Sequence, residues 1–345
     1  MTEVSVVVIA RNEEAHIGKC LRAILEAVAE IGGAEVVVAD SASTDRTVEI
    51  AQSFGARVIG LRPEWELSPS AGRYIGFHHT SGRLVMFVDA DTVIDRQWFP
   101  AAIRAFEQPD VAAVTGWLDD VDEEGRSLPY VGRRSGQTVV ISYLRGIGLY
   151  RRAALEEVGA FNPYLITEEE AELALRLRAR GWKLLQLPQQ MGRHERGAEL
   201  QAGILRALRL GRVRGTGKTL RYAWQSGQGL RFCRERLLQT IFFVVMMLAL
   251  VSLGAGLRLA GIERSAWIVL ALLAGWLGAV ALRKKSLQAP FDYLTRHALI
   301  SYGVIAGLIT TRLQSPQDYP RDVIEQNVSP VRQHHESEHL THLCR

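Results

Sequence analysis

Apolar runs and helical repeats alternate along residues 4–200. Apolar stretches of strand length occur at Val4–Ile9, Glu35–Ala39, Arg57–Gly60 and Leu84–Val88. Between the first two, apolar residues recur at helical spacing over Glu13–Ile31. Such alternation predicts βαβ units with right-handed crossovers and a mostly parallel sheet. We therefore expect an α/β fold in which helices flank the sheet.

The strand predicted over Leu84–Val88 stops at two acids, Asp89 and Asp91, with one residue between them. An unbroken apolar run of this kind is typical of a strand buried on both faces of a parallel sheet. Open α/β sheets bind their ligands at the carboxyl ends of strands, where both acids are expected. Carboxylates at that edge suit a hard divalent cation that bridges to substrate phosphates, although an acidic turn would look the same.

Two long apolar stretches, Leu237–Leu257 and Ala266–Leu282, contain no charged residue. The first is long enough to span a bilayer and the second is at the short end of that range. Basic residues flank the pair on its outer sides: Arg231, Arg234, Arg236, Arg283, Lys284 and Lys285. The positive-inside rule predicts a hairpin with both ends in the cytoplasm, the alternative being a buried core hairpin. A third stretch, Ala298–Thr311, fits a tilted span, a re-entrant segment or a surface helix equally well.

The 345-residue chain has a mild net charge of +4, but arginines crowd the segment from Arg206 to Arg236. Apolar residues recur there at helical spacing, which favours a helix on a membrane surface over an ordinary solvated helix. We expect no nucleic-acid partner. The C-terminal tail, for which a polar disordered segment is favoured over a metal site, carries four histidines: His334, His335, His339 and His342.

Five short motifs follow one another in the first part of the chain. They are VSVVVIARNEE (Val4–Glu14), DSASTD (Asp40–Asp45), AGRYIG (Ala71–Gly76), FVDAD (Phe87–Asp91) and TEEEAELALRL (Thr167–Leu177). In this order they resemble the family 2 glycosyltransferases. The resemblance implies the GT-A fold, a mostly parallel sheet with flanking helices that binds a nucleotide-diphosphate sugar. The first βα turn also lacks the glycine-rich motif of an NAD site.

With that resemblance the chain divides into four parts. We predict a GT-A catalytic domain over 1–198, a basic amphipathic membrane-interface segment over 199–236, a membrane region over 237–311 and a polar tail over 312–345. The membrane region is expected to contain two transmembrane helices, and the sequence does not decide whether Ala298–Thr311 forms a third.

The resemblance implies a nucleotide pocket at the ends of the first two strands. Ala10, Arg11, Glu13 and Asp40 would line it, and Arg73 would lie near the diphosphate. The chemistry is suitable, because a carboxylate at a strand end accepts from base N–H groups or ribose hydroxyls and a guanidinium matches phosphate oxygens.

The resemblance also implies a metal site. Asp91 would bind Mg²⁺ or Mn²⁺ directly, Asp89 would support the ribose or the metal, and His194 would lie near the metal or diphosphate unless its role is structural. A divalent cation neutralises the charge that develops on a nucleoside diphosphate as the glycosidic bond breaks.

A general base is implied at the start of a helix that Thr167 is expected to cap. Relatives usually have Glu-Asp there, whereas this chain has Glu168-Glu169-Glu170. We assign Glu169 as the base that takes the proton of the acceptor hydroxyl, with Glu168 or Glu170 as alternatives because the register is uncertain. Acids in a first turn also complement the helix dipole without any catalytic role.

The sequence thus predicts an inverting, metal-dependent hexosyltransferase at the cytoplasmic face of the cell membrane. Its acceptor would be lipid-linked, such as a polyprenyl phosphate, or a glycan of the cell envelope. A processive polysaccharide synthase is disfavoured, because Gln190–His194 is only a near match to Gln-x-x-Arg-Trp. A nucleotidyltransferase is disfavoured because Ala10–Glu14 is acidic rather than basic and glycine-rich. A non-catalytic membrane scaffold is disfavoured because the acids are intact.

Overall fold

One mixed sheet forms the centre of the N-terminal domain. The computed structural model describes residues 3–122, 125–128, 134–144, 146–195, 212–310 and 312–326. The strands in this part of the chain are β1 (Val4–Ala10), β2 (Glu35–Asp40), β3 (Arg57–Gly60), β4 (Leu84–Asp89), β5 (Thr92–Ile94), β6 (Val111–Val121), β7 (Val139–Val140), β8 (Gly148–Arg151), β9 (Lys183–Glu195) and β10 (Ile324–Gln326). Their order is β10-β3-β2-β1-β4-β8-β6-β9-β5, and β7 pairs with β9.

Helices cover the sheet and then extend beyond it. They are α1 (Ile17–Ala29), α2 (Thr47–Ser53), α3 (Pro69–His78), α4 (Trp98–Ala105), α5 (Arg152–Val158), α6 (Glu169–Ala179), α7 (Arg212–Gln225), α8 (Gly229–Phe232), α9 (Leu238–Leu259), α10 (Ser265–Lys284) and α11 (Ala289–Thr310). Cys233–Leu237 forms a π-helical turn that joins α8 to α9.

Side chains of the central strands alternate between two apolar layers. Val6 and Val8 of β1 pack with α1 and α4, whereas Val7 packs with α3 and α6 on the other face. This follows from the two-residue period of a strand, and it explains why β1 and β4 are apolar without interruption. Asp89 is therefore the last residue of a central strand that is otherwise buried, and it lies where the parallel strands end.

The sheet is less parallel than the sequence pattern predicts. Strands β3, β2, β1 and β4 are parallel, but β8 lies antiparallel to both β4 and β6. The described residues between β6 and β8 form no helix, so no helical crossover carries the chain back for a parallel pairing.

Two helical stretches have the length and composition of membrane spans. They are Gly229–Leu259 and Ser265–Lys284, with mean hydropathies of 2.4 and 2.1 and only 11% and 6% of their apolar windows buried. Such exposed apolar helices are unlike the core hairpin of a soluble protein, since monomeric soluble proteins rarely expose large apolar patches. They match the predicted hairpin.

The third apolar stretch belongs to α11, which begins nine residues before Ala298, at Ala289. This helix does not meet the span criteria among the described residues and packs along α7 instead. Glycines permit the close approach, because a Cβ on Gly303 would collide with the backbone carbonyl of Val213. Helix α11 therefore connects the two candidate spans to the N-terminal domain.

The described part of the predicted tail, residues 312–326, returns to the sheet. Tyr319 is 2% exposed, and its hydroxyl donates to the Glu66 carbonyl at 2.9 Å. Strand β10 then pairs antiparallel with β3. Several residues named in the sequence analysis lie outside the described part of the chain: Arg206, His334, His335, His339 and His342.

Candidate active site

A buried arginine links the end of β4 to the start of α6. Arg73 of α3 is 2% exposed, and its Nη2 donates to Asp89 Oδ1 at 2.9 Å while Nη1 donates to Glu169 Oε1 at 3.1 Å. Glu170 Oε1 lies 3.4 Å from the same Nη1. The surrounding carboxylates raise the pKa of Arg73, although burial acts against this. Both terminal nitrogens are therefore engaged by protein carboxylates.

Asp91 forms a hydrogen-bonded chain with His194 and Asp120. His194 Nε2 lies 3.0 Å from Asp91 Oδ2, and Nδ1 lies 3.0 Å from Asp120 Oδ1. Strand pairing dictates this arrangement, since His194 on β9 is opposite Thr92 of β5 and Asp120 of β6. Burial lowers the pKa of His194, but hydrogen bonds to Asp91 and Asp120 and the charges of Asp91 and Asp89 outweigh it and raise the pKa to about 9.

The three glutamates at the start of α6 have different surroundings. Glu168, and not Thr167, is the N-cap residue, with a left-handed φ of 60° and no capping side-chain hydrogen bond; the predicted Thr167 cap is wrong. Glu168 Oε2 lies 2.6 Å from Arg236 Nε. The side chains of Glu169 and Glu170 are 9% and 17% exposed. Burial and the charge of Glu169 raise the pKa of Glu170 to about 8, against the opposing effect of Arg73.

A cavity of about 1000 Å³ lies between these groups. Seven parts of the fold contribute its charged side chains and a tyrosine: Asp89, Asp120, Tyr143, Glu168, Glu170, His194, Arg236 and Arg296. Gly146 closes one side with φ 70°, and a Cβ there would lie 3.4 Å from Asp89 Oδ2. The glycine thus keeps the loop before β8 close to the first acid of the Asp-x-Asp pair.

The residues expected at the nucleotide lie apart from this cavity, at neighbouring ends of β1 and β2. Ala10 and Asp40 are paired in the parallel ladder, and Arg11 and Glu13 follow in the first βα loop. Ser43 N–H donates to Asp40 Oδ2 at 3.0 Å, but buried Oδ1 has no hydrogen-bond partner within the described structure. Burial raises the pKa of Asp40. An unpaired buried acceptor is costly, so this oxygen is suited to a ligand N–H or hydroxyl.

The acids fit a divalent cation only as a partial ligand set. Asp91 Oδ1 is buried and has no hydrogen-bond partner among the described residues. Within the same part of the chain, no group of three or more His, Cys, Asp or Glu residues is arranged to hold a metal by itself. Mg²⁺ is commonly held by one or two carboxylates and completed by substrate phosphates and water. The carboxylates of Asp91 and Asp89 fit that mode, whereas His194, with both ring nitrogens held by Asp91 and Asp120, supports Asp91 rather than offering a ligand atom.

Sequence reasoning missed several residues of the cavity. Asp120, Tyr143 and Arg296 line it but belong to none of the five motifs. Asp120 is at the polar end of the otherwise apolar strand β6, a signal that is present but not specific. Arg296 comes from α11, more than a hundred residues after His194 in the chain. Nothing in the sequence around Arg296 indicates that it lies near the sheet.

The π-helical turn Cys233–Leu237, near the start of the first candidate span, is fixed to the N-terminal domain. Arg178 of α6 donates to both carboxylate oxygens of Glu235, at 2.8 and 2.7 Å. Arg236 lies over the Tyr143 ring at 4.5 Å as well as beside Glu168. Helix α9 begins two residues later, so the cavity opens next to the start of the apolar hairpin.

Comparison with known proteins agrees with this geometry. Residues 5–159 match the family described as Glycosyl transferase family 2. The chain is 25% identical over 191 residues to glycosyltransferase AglE of Haloferax volcanii, which covers 52% of this chain and 63% of that protein. It is 31% identical over 99 residues to a 4,4'-diaponeurosporenoate glycosyltransferase of Staphylococcus haemolyticus, covering 27% of this chain and 25% of the relative.

A solved structure extends the likeness of fold to most of the chain. The mannosyltransferase PcManGT from Pyrobaculum calidifontis, in complex with GDP-Man and Mn²⁺, superposes with a TM-score of 0.61 at 18% identity. The match covers 90% of this chain and 88% of that structure. The mixed sheet with flanking helices is accordingly the GT-A fold, and residues 5–159 within it are similar to the family 2 glycosyltransferases.

Proposed function

We propose that the protein is an inverting, metal-dependent glycosyltransferase that moves a sugar from a nucleotide-sugar donor to a lipid-linked or glycan acceptor at the cytoplasmic face of a membrane. The observation that carries this proposal is the convergence of Asp89, His194 and Glu170 on one cavity. Acids of the donor side and a candidate base thus border the same space, where a sugar would sit.

The donor is assigned to the edge formed by β1, β2 and β4. Asp40 Oδ1 supports contact with a base N–H or a ribose hydroxyl, since it is a buried acceptor with no partner in the described structure. Ala10, Arg11 and Glu13 complete this end. Asp91, with Asp89, would hold Mg²⁺ or Mn²⁺ against the diphosphate, and His194 would orient Asp91. The cation, when bound, stabilises negative charge on the leaving nucleoside diphosphate.

Glu170 is the better candidate for the general base than Glu169. Glu170 lines the cavity and its pKa of about 8 makes it a stronger base than an ordinary carboxylate. Glu169 is not part of the cavity lining, and its Oε1 accepts a hydrogen bond from Arg73 Nη1 at 3.1 Å. In the proposed step, Glu170 takes the proton of the acceptor hydroxyl, whose oxygen bonds to the anomeric carbon. The bond to the diphosphate breaks and its electrons leave with the nucleoside diphosphate.

Arg73 is a positioning residue in this proposal rather than a diphosphate ligand. Its two terminal nitrogens hold Asp89 and Glu169. It therefore sets the distance between the donor side and the base side of the cavity without touching the substrate.

Sugar transfer by the full-length protein in membranes tests this function. Membranes containing the wild type or Asp91→Asn would receive a panel of nucleotide sugars with Mn²⁺ or Mg²⁺, followed by lipid extraction and mass analysis. We expect transfer in the wild type, its loss with EDTA, and a fall of about a hundredfold or more in Asp91→Asn. Undiminished transfer in EDTA or in Asp91→Asn would contradict the metal assignment. Pyrophosphate release from a nucleoside triphosphate and a sugar phosphate would support a nucleotidyltransferase instead.

A further inference from the structure

Two consecutive residues of the π-helical turn Cys233–Leu237 contact opposite ends of α6. Glu235 pairs with Arg178, in the last turn of that helix, and Arg236 pairs with Glu168, its N-cap residue. The two contacts on α6 are separated by about 15 Å along the helix axis, at 1.5 Å per residue. The turn is therefore fixed at both ends of the helix. We call the Arg178–Glu235 ion pair the latch.

The latch is bidentate and partly buried. Arg178 Nη1 and Nη2 donate to the two carboxylate oxygens of Glu235 at 2.8 and 2.7 Å, and the side chains are 23% and 21% exposed. These hydrogen bonds raise the pKa of Arg178 and lower the pKa of Glu235. Bidentate arginine–carboxylate pairs fix direction as well as distance. Nη1 also donates to the carbonyl of Ser142 at 2.9 Å, and Ser142 lines the catalytic cavity.

Glu168, at the other end of α6, is the residue at which the helix begins. Its left-handed φ of 60° is uncommon for a residue other than glycine and persists only where surrounding contacts maintain it. Arg236 supplies such a contact, with Nε 2.6 Å from Glu168 Oε2. The carbonyl of Glu168 in turn accepts a hydrogen bond from Glu172 N–H at 2.9 Å. The direction of the first turn, which carries Glu170, therefore depends on how Arg236 is held.

Apolar packing does not by itself set the rotation of the π-helical turn. Phe232 and Leu237 form a buried cluster with Leu175 of α6, but apolar contacts are non-directional. Single π-helical turns are rare and occur frequently at functional sites. The latch supplies a directional contact at Glu235, the residue next to Arg236.

We propose that Arg178 and Glu235 are positioning residues for sugar transfer. Neither lines the catalytic cavity within the described part of the chain, so they act through their neighbours. Their ion pair holds the turn so that Arg236 restrains Glu168, which keeps the start of α6, and Glu170 with it, in place to take the proton of the acceptor hydroxyl. The role in transfer rests on the proposed function, whereas the effect on α6 requires no substrate.

Steady-state transfer by the full-length protein in membranes tests the role in the reaction. Glu235→Gln keeps the size of the side chain and removes its charge. It should lower kcat by about 10- to 100-fold, as expected when a distant change misplaces reacting groups. KM for the nucleotide sugar should stay close to the wild-type value, because the donor is assigned to the edge formed by β1, β2 and β4.

Two further variants separate positioning from a general loss of stability. Arg178→Lys keeps the charge without the two-pronged contact, so it should retain more kcat than Arg178→Gln. The double variant Arg178→Gln/Glu235→Gln should have a kcat close to that of Arg178→Gln alone, because residues that act as one unit are not additive. Thermal unfolding should show that all variants are folded.

Hydrogen exchange of the unliganded protein in detergent tests the effect on α6 without any activity. Amides of residues 168–173 should exchange several-fold faster in Glu235→Gln, because the start of the helix is held less firmly. Arg180→Gln is the matched control. Arg180 is the C-cap residue of α6, and its pair with Glu157 spans 3.9 Å with side chains 62% and 42% exposed. This variant should match the wild type in both kcat and exchange.

The proposal is overturned by wild-type kcat in Glu235→Gln, by additive losses in the double variant, or by an equal loss in Arg180→Gln. Failure of the proposed function looks different. If α6 exchanges faster in Glu235→Gln but no nucleotide sugar yields a product with the wild type, the proposed function is wrong and the restraint on α6 stands. If Glu235→Gln transfers sugar as well as the wild type does, the latch has no positioning role and the function stands.

Discussion

Arg73 donates to Asp89 at 2.9 Å from a position that is almost completely buried. The same guanidinium holds Glu169 at 3.1 Å. One cation therefore compensates the first acid of the Asp-x-Asp pair and the acids at the start of α6. Since these acids come from residues eighty positions apart in the chain, Arg73 couples the geometry of the donor side to that of the base side.

Removing this arginine should destabilise the fold. In Arg73→Gln the carboxylates of Asp89, Glu169 and Glu170 would remain close together without a counter-charge. Breaking a buried ion pair from one side costs about 3–5 kcal/mol. We expect a loss of that size in the free energy of unfolding, measured by denaturant titration of the purified protein in detergent.

Arg83→Gln is the control for that measurement. Arg83 and Glu3 form an ion pair with side chains 57% and 58% exposed. Exposed pairs are worth about 0–1 kcal/mol, so the variant should unfold close to the wild type. Equal losses in the two variants would show that burial of Arg73 has no special energetic role.

The identity of the base can be separated from the structural role of its neighbour. Glu170→Gln should reduce kcat by about 10²- to 10⁴-fold with little change in KM for the donor, since general-base catalysis contributes about that much. Glu169→Gln should keep a substantial kcat, because Glu169 contacts Arg73 and does not line the cavity. Steady-state transfer at saturating metal distinguishes them. A larger kcat loss in Glu169→Gln would restore Glu169, the residue assigned from sequence, as the base.

The same residues show which features of the site can be predicted from the sequence. An apolar run that ends in acids predicts both the strand and the position of Asp89 and Asp91, because burial and strand ends have local signatures. The choice among Glu168, Glu169 and Glu170 depends on where α6 begins. That boundary is set by a left-handed φ of 60° at Glu168 and by contacts with Arg73 and Arg236, which no local pattern reveals.

Prediction from sequence also fails for site residues that come from distant segments of the chain. The sequence predicts the hairpin of α9 and α10 from length and charge, but not that α11 packs along α7 and carries Arg296 into the catalytic cavity. Likewise, β10 returns to pair with β3 from a segment that polar composition alone assigns to a tail. Both arrangements depend on long-range packing, on which periodicity has no bearing.

The raised pKa of Glu170 predicts how stability depends on pH. Its folded pKa of about 8 exceeds the ordinary value of 4.5, so between these pH values the folded protein retains a proton that the unfolded chain has released. Stability from this group is fully present below pH 4.5 and is lost as pH rises through 8. Glu170→Gln cannot release that proton and should show a flatter profile.

Thermal unfolding in EDTA between pH 4.5 and 8.5 measures this effect without bound metal. His194 and Asp40 also have raised pKa values, so both proteins should lose some stability with pH. The prediction concerns the difference between the two profiles, which should grow in favour of Glu170→Gln as pH rises. Parallel profiles would mean that Glu170 titrates normally.

The crossing of α7 and α11 gives a last prediction, about the link between the catalytic domain and the membrane region. A Cβ on Gly303 would collide with the Val213 carbonyl, whereas nothing lies within 4 Å of a Cβ on Gly278 of α10. Gly303→Ala should therefore force the helices apart, at a cost of about 1–3 kcal/mol. Because α11 carries Arg296 into the lining of the catalytic cavity, the variant should also transfer sugar more slowly. Gly278→Ala should change the free energy of unfolding by no more than about 0.5 kcal/mol and leave transfer intact. Thermal unfolding and the membrane transfer assay would measure both effects, and a Gly303→Ala protein as stable and as active as Gly278→Ala would show that the close crossing does not hold Arg296 in place.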